Sequence, residues 1–354
     1  MNKLDNISDI KTEYYDGTKL LSLSDLNGNT PEIYLCVGNR TAGKTTYFNR
    51  LCVNRFLKYG SKFVLLYRYG YELKGSANKF FDDIRTLFFR DHYMSEKAQA
   101  KGAYYELRLD DRICGYAVAL NNSDIIKKHS HIFNEVECML FDEFQSEANA
   151  YCPDEIQKFI SIHTSIARGQ GKQVRYVPVY MLSNTVSIIN PYYVELGISS
   201  RLKFDTKFLK GNGFVLEQTF NESASKAMQE SGFNQAFLSN NYIAYSSQNV
   251  YLLDSVAFIE KPTGKSRYLC TLRYNGRTFS LREFTELGMV YCDDSADNTF
   301  PTKISVTTDD HQINYVMLKR NDAFLTNMRF LFEHGCFRFK NLLCKEAVLK
   351  ALSY

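Results

Sequence analysis

The sequence predicts an α/β protein whose first domain is followed by a smaller α+β domain. In the first 205 residues, nearly continuous apolar runs such as 62–68 and 138–141 alternate with segments of helical period. Buried parallel strands have this composition because helices cover both faces of their sheet. After residue 240 the strand-like runs are short and bounded by turns. The pattern predicts domains at 1–205 and 240–354, joined by a polar linker at 206–239.

The elements of the first domain follow from apolar periodicity and from glycine and acidic breaks. They are a strand at Glu32–Val37, a helix at Thr45–Tyr59 stopped by Gly60, a strand at Lys62–Arg68, a helix at Ala77–Phe89, a hairpin within 103–120, a strand at Cys138–Phe141, a helix at Asp154–Ile166 and a strand at Val174–Leu182. In the second domain the predicted strands are Asn249–Asp254, Ala257–Glu260, Tyr268–Tyr274 and Gly288–Cys292, with a hairpin turn at Asn275-Gly276 and helices near Ile313–Phe332 and Leu342–Leu352.

The strongest motif is G-x-x-x-x-G-K-T at Gly38–Thr45, between the first strand and its helix. Its two glycines let the backbone curl so that N–H groups face phosphate oxygens, beside the positive end of the helix dipole. Lys44 can reach the β- and γ-phosphates, and the Thr45 hydroxyl can bind Mg²⁺. The motif predicts a site for ATP and Mg²⁺ formed by Gly38, Asn39, Arg40, Thr41, Ala42, Gly43, Lys44, Thr45 and Thr46.

Acidic and polar residues end the next two apolar strands. Asp142 is predicted to hold Mg²⁺, and Glu143 to polarise the water that attacks the γ-phosphate. A strand-end cap is the structural alternative for this pair. Asn184 is predicted to sense the γ-phosphate beside Glu143, with an Asx turn as the alternative.

Two arginines near the end of the Asp154–Ile166 helix are candidates for an arginine finger that acts on a neighbouring subunit. Arg168 lies in a glycine-punctuated turn, and Arg175 competes for the role. Arg40, inside the P-loop, is a further candidate for contact with phosphate or for adjusting Glu143.

Charge and cysteine content restrict the class of protein further. The net charge is +4, and Lys and Arg outnumber acids seven to three between residues 311 and 354. This excess permits a polyanionic partner, with phosphate contacts predicted at Lys74, Lys79, Arg338 and Lys340. Nine cysteines without a C-x-x-C pair argue against a disulfide framework and a zinc ribbon. No signal peptide or membrane-spanning run is predicted, so the expected setting is the cytosol.

Several stretches beyond the P-loop resemble one known family. They are Asn54–Gly60, Tyr67–Tyr69, Phe141–Phe144, Leu182–Asn184 with Asn190–Tyr192, and Thr307–Asp310. With Gly38–Thr45 they resemble the DNA-packaging ATPases of small protein-primed podophages of the Phi-twenty-nine type. The resemblance implies a homopentameric ring at the portal vertex of a procapsid, in the host cytoplasm, with or without a scaffold RNA, which drives double-stranded DNA inward.

The resemblance also implies the classes of the two domains. The first would be a P-loop NTPase of the additional-strand, catalytic-glutamate (ASCE) class, with Arg168 at the position of the finger. The second would be similar to a ribonuclease-H-like nuclease that has lost its activity. This chain departs from the family pattern by an insertion at Gly169–Gln173 and by Gln145-Ser146-Glu147, where the family can carry basic residues.

The positions of the acids in the second domain bear on whether it could act as a nuclease. Two-metal sites need carboxylates that converge, whereas these acids stand in turn-like surroundings. We therefore expect no nuclease activity from Asp254, Asp293, Asp294, Asp309 and Asp310. The alternatives to a motor are a nucleotide-switched binding module, which Glu143 disfavours, and a helicase, whose strand motifs are not recognisable here.

Overall fold

The computed structural model describes residues 14–169, 171, 173–199, 201–202, 206–237, 246, 258–317 and 322–352. The chain divides into two compact units, which are Met1–Ile198 with Leu202–Leu253 and Ser199–Arg201 with Asp254–Tyr354. The predicted strand at Asn249–Asp254 lies outside the described residues, and so does residue 257, the first position of the predicted strand at Ala257–Glu260.

The first unit contains nine strands and eight α-helices among its described residues. The strands are β1 Ile33–Gly38, β2 Lys62–Tyr67, β3 Met94–Gln99, β4 Tyr104–Leu109, β5 Arg112–Ala119, β6 Val136–Phe141, β7 Val179–Ser183, β8 Phe208–Lys210 and β9 Phe214–Thr219. The helices are α1 Thr18–Leu21, α2 Lys44–Tyr59, α3 Ser76–Phe88, α4 Ser123–Lys128, α5 Glu155–Ile166, α6 Pro191–Glu195, α7 Glu222–Glu230 and α8 Gly232–Gln235. Short 3₁₀ turns occur at Gly70–Glu72, Ala100–Gly102, Leu120–Asn122 and Ser130–Phe133.

These strands form one sheet in the order β3-β4-β5-β2-β6-β7-β1-β9-β8. The six central strands, from β5 to β9, are parallel, and the antiparallel pairs lie at the two edges. The central strands are almost wholly buried, which explains their continuous apolar runs. Strand β7 separates β1 from β6, so the P-loop strand does not pair with the strand that ends in Asp142.

Most predicted elements of this unit are present within a few residues of their expected ends. The helix after the P-loop ends at Gly60, whose φ of 74° is the left-handed conformation that glycine adopts readily. The predicted hairpin consists of β4 and β5, with Asp110 and Asp111 both at positive φ in its turn. The predicted strand at Val174–Leu182 corresponds to β7, which is shorter because it begins at Val179.

The predicted linker at 206–239 is wrong as a linker. Residues 208–219 form β8 and β9, and β9 pairs in parallel with the whole length of β1. The turn signal of Gly211-Asn212-Gly213 dominates the local sequence, but the run Phe214–Leu216 is buried in the sheet. Gly38 permits this pairing, because a Cβ there would lie 2.3 Å from the carbonyl oxygen of Thr219. The first unit therefore extends well beyond residue 205.

The second unit has a mixed sheet in the order β14-β13-β10-β11-β12-β15. Its strands are β10 Arg267–Tyr274, β11 Arg277–Phe284, β12 Met289–Asp293, β13 Lys303–Ser305, β14 Val316–Met317 and β15 Phe337–Phe339, with a 3₁₀ turn at Thr285–Leu287 and helices α9 Asp322–Glu333 and α10 Leu342–Leu352.

The hairpin predicted at Asn275-Gly276 is present between β10 and β11. The helix predicted near Ile313–Phe332 begins only at Asp322, because Val316 and Met317 pair with β13 instead. No helix in the described parts of the chain is long and apolar enough to span a membrane.

Candidate nucleotide site

Three parallel strands bring the predicted site residues to one edge of the first sheet. Strand β1 ends at the P-loop, β6 ends before Asp142, and β7 ends before Asn184. Because β7 pairs with both β1 and β6, the carboxyl ends of all three strands are neighbours. Ligands bind at such edges in open α/β sheets.

The P-loop surrounds the buried ammonium group of Lys44. The Lys44 Nζ donates to the carbonyl oxygens of Gly38 at 3.1 Å and Asn39 at 2.7 Å, and lies 3.5 Å from Oδ1 of Asn184. Burial lowers the pKa of this lysine. Asn184, predicted from its place after a strand, is thus within reach of the P-loop lysine.

Thr45 and Asp142 form the predicted metal-ligand pair. The Thr45 hydroxyl donates to Oδ2 of Asp142 at 2.8 Å, although the two residues are 97 positions apart. Burial raises the pKa of Asp142, a change that the Thr45 hydroxyl, the Glu143 N–H and the charge of Lys44 oppose. A half-buried carboxylate beside a hydroxyl is a donor set that suits a hard divalent cation. These residues fit Mg²⁺.

Glu143 lies between two clefts that meet at this edge. One cleft of about 320 Å³ also contains Arg40 and Asn184, and another of about 340 Å³ contains Thr45 and Asp142. Glu143 has a φ of 55°, a strained conformation for a residue other than glycine, and its N–H donates to Oδ1 of Asp142. Partial desolvation, followed by the charge of Asp142, raises the pKa of Glu143, although its side chain is still exposed to solvent.

The P-loop has two side-chain anchors. Arg40 forms an ion pair with Glu147, five residues after Asp142. The Asn39 side chain donates to the carbonyl of Asn221 at 3.0 Å and accepts its N–H at 2.9 Å. Asn221 also caps α7 by accepting the N–H of Ala224. The P-loop is therefore tied to the helix that follows β9.

Sequence reasoning assigned no role to Arg68, which supports the loop after Asp142. Its Nε lies 3.1 and 3.0 Å from the two carboxylate oxygens of Glu155 in a buried ion pair, and its Nη2 donates to the carbonyl of Phe144 at 2.7 Å. Glu155 also accepts the Tyr192 hydroxyl. Its signals in the sequence were its position at the carboxyl end of an apolar strand and its place in the family-like stretch Tyr67–Tyr69, but its partner Glu155 is 87 residues away.

Gln145 is a second residue without a predicted role. Its Oε1 accepts the backbone N–H of Ser187 at 2.9 Å and so links the loop after β6 to the loop after β7. The departure from the family pattern at this position therefore falls on a buried bridge between the loops that carry Glu143 and Asn184.

The two candidate finger residues have different surroundings. Arg175 is only 8% exposed, and its guanidinium donates to the carbonyls of Val136, Phe133, Ile166 and Arg168. Arg168 is exposed. Of the pair, Arg168 is the side chain that faces solvent.

The predicted DNA contacts are also unequal. Lys74 is exposed just before α3, and Lys79 is exposed in its first turn, where it donates to the carbonyl of Glu72. Lys340 instead pairs with Asp293 and Asp294. Arg338 donates to the carbonyls of Gly335 and Phe337, with Glu260 at 3.4 Å. The charges of Lys340 and Arg338 are therefore largely balanced within the second unit.

Three of the five acids named for the second unit have partners in the structure: Asp293 and Asp294 pair with Lys340, and Asp310 contacts a turn. Asp310 is buried and accepts the N–H groups of Asn275 and Gly276 and the Thr307 hydroxyl. No group of three or more potential metal ligands is present among the residues that the structure describes. Absence of nuclease activity remains a prediction.

The strand, curled glycine loop, buried lysine and paired threonine and aspartate define a P-loop NTPase. The sequence model of one family, the podovirus DNA encapsidation protein (Gp16), matches residues 10–352. The chain belongs to this family, and the resemblance inferred from the motifs is confirmed.

Known relatives are similar over nearly their whole length. The chain is 26% identical over 340 residues to the DNA packaging protein of Bacillus phage phi29, covering 95% of this chain and 96% of the relative. It is 25% identical over 315 residues to that of Bacillus phage B103, with 87% and 92% covered. Its fold is similar to a chain in the bacteriophage Phi-29 viral genome packaging motor assembly, with a TM-score of 0.70, 24% identity and coverage of 97% and 98%. For the Phi-28 gp11 DNA packaging motor the TM-score is 0.59, with 18% identity and coverage of 97% and 99%.

The different burial of Arg175 and Arg168 predicts different effects on stability. Arg175→Ala should lower the free energy of unfolding by about 3 kcal/mol, because several buried carbonyls lose their donor. Arg168→Ala should change it by less than about 0.5 kcal/mol. Denaturant unfolding of both variants measures this difference, and equal stabilities would contradict the structural role of Arg175.

The burial of Asp142 predicts a dependence of stability on pH. Because its pKa is raised, the folded chain binds this proton more tightly than the unfolded chain does. Stability is therefore lost as pH rises from the ordinary carboxyl pKa of about 4 through the raised value. Asp142→Asn should stabilise the nucleotide-free protein by about 1 kcal/mol near pH 7.5, while the difference from wild type shrinks toward pH 4.

Thermal unfolding across this pH range is the measurement. The same variant should lose most of the stabilisation that Mg²⁺ and ATP give the wild type. An Asn variant that is less stable than the wild type at neutral pH would show that the carboxylate is not a buried, destabilising charge.

Proposed function

We propose that this chain is the ATP-hydrolysing subunit of a ring motor that moves double-stranded viral DNA into a preformed procapsid through the portal vertex. The observation that carries the proposal is the position of Glu143, which lines both clefts beside the Thr45–Asp142 pair. We infer DNA as the cargo and a procapsid as its destination from membership in the podovirus DNA encapsidation family.

The order of strands supports assignment to the ASCE class. An additional strand, β7, lies between the P-loop strand β1 and β6, and a glutamate follows the metal-binding aspartate. Asn184 at the end of that additional strand lies 3.5 Å from the Lys44 ammonium. A polar group at this point can report whether a γ-phosphate is present.

Hydrolysis needs groups that position the phosphates and one that accepts a proton. Lys44 would bind the β- and γ-phosphates in place of its present carbonyl partners. Glu143 would accept a proton from the attacking water, and its raised pKa suits that step. Thr45 and Asp142 would hold Mg²⁺, which when bound offsets negative charge on the phosphate oxygens. Arg40 would leave Glu147 for phosphate or Glu143.

A ring would complete the site between subunits. Arg168 is exposed, whereas the guanidinium of Arg175 is buried and donates to backbone carbonyls. We assign Arg168 as the finger that acts on the nucleotide of the next subunit, in a ring expected to be a homopentamer. An arginine in this role stabilises charge on the transferring phosphoryl group.

The second unit is proposed to be a vestigial ribonuclease-H-like domain. Its β10-β11-β12 strands form an antiparallel meander, and β13 and β14 add to β10 in parallel, which agrees with such a fold. Lys74 and Lys79 remain the proposed DNA contacts of the first unit. The motor would act in the host cytoplasm, bound transiently to the procapsid, with or without a scaffold RNA.

Substitution of Glu143 tests the hydrolytic mechanism. Glu143→Gln should reduce ATP turnover by about 100-fold or more, because the general base is lost, while ATP binding changes little. Glu72→Gln is the matched control, since Glu72 lines the same two clefts. Turnover with procapsids and protection of packaged DNA from nuclease are the measurements.

The alternative, a nucleotide-switched binding module with little turnover, gives another result. In that case both the wild type and Glu143→Gln bind ATP tightly, and neither packages DNA. Equal turnover by Glu143→Gln and wild type would remove Glu143 from the mechanism.

Mixed rings test the finger. Arg168→Ala and Glu143→Gln subunits should each be inactive alone, whereas a one-to-one mixture should regain up to about a quarter of wild-type turnover, because some interfaces combine an intact Glu143 with an intact Arg168 from the neighbour. A mixture that stays inactive would place the arginine's action within its own subunit.

A further inference from the structure

The buried side chain of Gln145, in the loop after β6, has a partner for only half of its amide group. It is 2% exposed and lines the cleft of about 320 Å³ together with Glu143 and Asn184. Its Oε1 accepts the backbone N–H of Ser187 at 2.9 Å. Its Nε2 is buried and has no hydrogen-bond acceptor among the residues that the structure describes. Since a buried N–H group without an acceptor is unfavourable, another state of the site should provide one.

The hydrogen bond to Ser187 fixes the way the amide faces. A backbone N–H can only donate, so the atom that it meets must be the amide oxygen, and Nε2 lies on the other side of the amide. Ser187 is itself held, because its carbonyl accepts from Nδ2 of Asn190 at 2.8 Å, and Oδ1 of Asn190 accepts the N–H of Tyr193 to cap α6. The amide donor of Gln145 therefore has a set direction.

The residue between Glu143 and Gln145 is fixed by both of its backbone groups. The N–H of Phe144 donates to the carbonyl of Leu182 in β7 at 3.1 Å, and its carbonyl accepts from Arg68 at 2.7 Å. The loop therefore cannot shift toward a new acceptor without breaking these hydrogen bonds. An acceptor for Gln145 has to come to it, through rotation of a neighbouring side chain.

Three carboxylates of the described residues line the same cleft, and two of them have partners. Glu147 forms an ion pair with Arg40, and the Glu72 carboxylate accepts the backbone N–H of Tyr69. The carboxylate of Glu143 accepts no hydrogen bond from the part of the chain that the structure describes, and it is exposed to water. When an active site closes, such water is expelled, and the carboxylate then needs a protein donor.

We propose that Gln145 is a positioning residue for Glu143. Once ATP and the neighbouring subunit close the cleft, Nε2 of Gln145 donates to the Glu143 carboxylate and holds it toward the attacking water, while Oε1 stays bound to the loop that follows Asn184. The inference rests on the proposed role of Glu143 in hydrolysis. It concerns this chain in particular, because Gln145 lies where the sequence departs from the family pattern.

ATP turnover by the full-length protein with procapsids tests the proposal. Gln145→Met keeps the length of the side chain and removes the amide. It should lower kcat about tenfold, because the carboxylate of Glu143 is no longer aimed, and should leave KM for ATP within about twofold, since the phosphate-binding groups are unchanged. Rates are expressed per ATP-binding site, counted by titration with a fluorescent ATP analogue, so that loss of folded protein does not lower them.

A double-mutant cycle shows whether Gln145 acts through Glu143. The same substitution is made in Glu143→Gln, and single turnovers of radiolabelled ATP are followed in all four proteins. In the Glu143→Gln background, Gln145→Met should slow hydrolysis by less than about twofold, because the carboxylate that it positions is absent. An equal loss in both backgrounds, or no loss in either, would overturn the proposal.

The matched control is Gln218→Met. Gln218 is 8% exposed, its Nε2 donates to the carbonyl of Thr206, and it lies outside the lining of both clefts. Its kcat should stay within about twofold of the wild type, and a loss as large as that of Gln145→Met would show a general effect of removing a buried amide and overturn the proposal.

A second variant is used if Gln145→Met unfolds at a lower temperature than the wild type. Gln145→Asn keeps an amide but is one methylene shorter, so it cannot meet both partners and should lower kcat at least about threefold. Wild-type kcat in this variant would also overturn the proposal.

Failure of this inference is distinguishable from failure of the proposed function. Wild-type turnover by Glu143→Gln would remove the hydrolytic role of Glu143, whatever Gln145 does. Loss of turnover in Glu143→Gln together with wild-type kcat in Gln145→Met would keep that role and overturn only the positioning by Gln145.

Discussion

Two opposite charges at one edge of a parallel sheet, on the buried Lys44 and the half-buried Asp142, constrain the arrangement of the first unit. Burial opposes the charged form of both groups, lowering the pKa of the lysine and raising that of the aspartate. Neither would remain at this edge without close polar partners. The P-loop carbonyls partner Lys44, and the Thr45 hydroxyl partners Asp142. The curled loop and the order of strands therefore bring these partners to charges that are partly or wholly removed from water.

The loop that carries Glu143 is strained, and its surroundings hold it in place. A positive φ at a glutamate costs on the order of 1–3 kcal/mol. Arg68, which is buried and paired with Glu155, donates to the carbonyl of Phe144, the residue after Glu143. Gln145 links the same loop to the loop after β7. Strain at the proposed catalytic position is therefore supported by contacts that are remote in sequence, which is how a folded protein can keep a carboxylate in an unfavourable conformation.

Distribution of charge in the second unit follows pairing and not sequence density. The C-terminal stretch is the most basic part of the sequence. Within it, however, Lys340 forms ion pairs with neighbouring acids, and Arg338 donates hydrogen bonds to backbone carbonyls. Arg273 of β10 and Lys303 of β13 are separated by 30 residues, and no sequence pattern links them. They lie on the same face of the sheet because β10 and β13 pair in parallel. A count of charges along a chain therefore locates an excess poorly when a sheet redistributes it.

The sequence by itself predicted the nucleotide site, because Gly38, Lys44 and Thr45 lie within one local turn whose geometry neighbouring residues dictate. It also predicted Asp142, Glu143 and Asn184, since the carboxyl ends of parallel strands meet at one edge. Only the tertiary structure decided that Phe214–Leu216 belongs to the sheet, that Arg175 is buried and Arg168 exposed, and that Arg68 supports Phe144. Each of these depends on a partner far away in the chain, and local periodicity carries no information about distant partners.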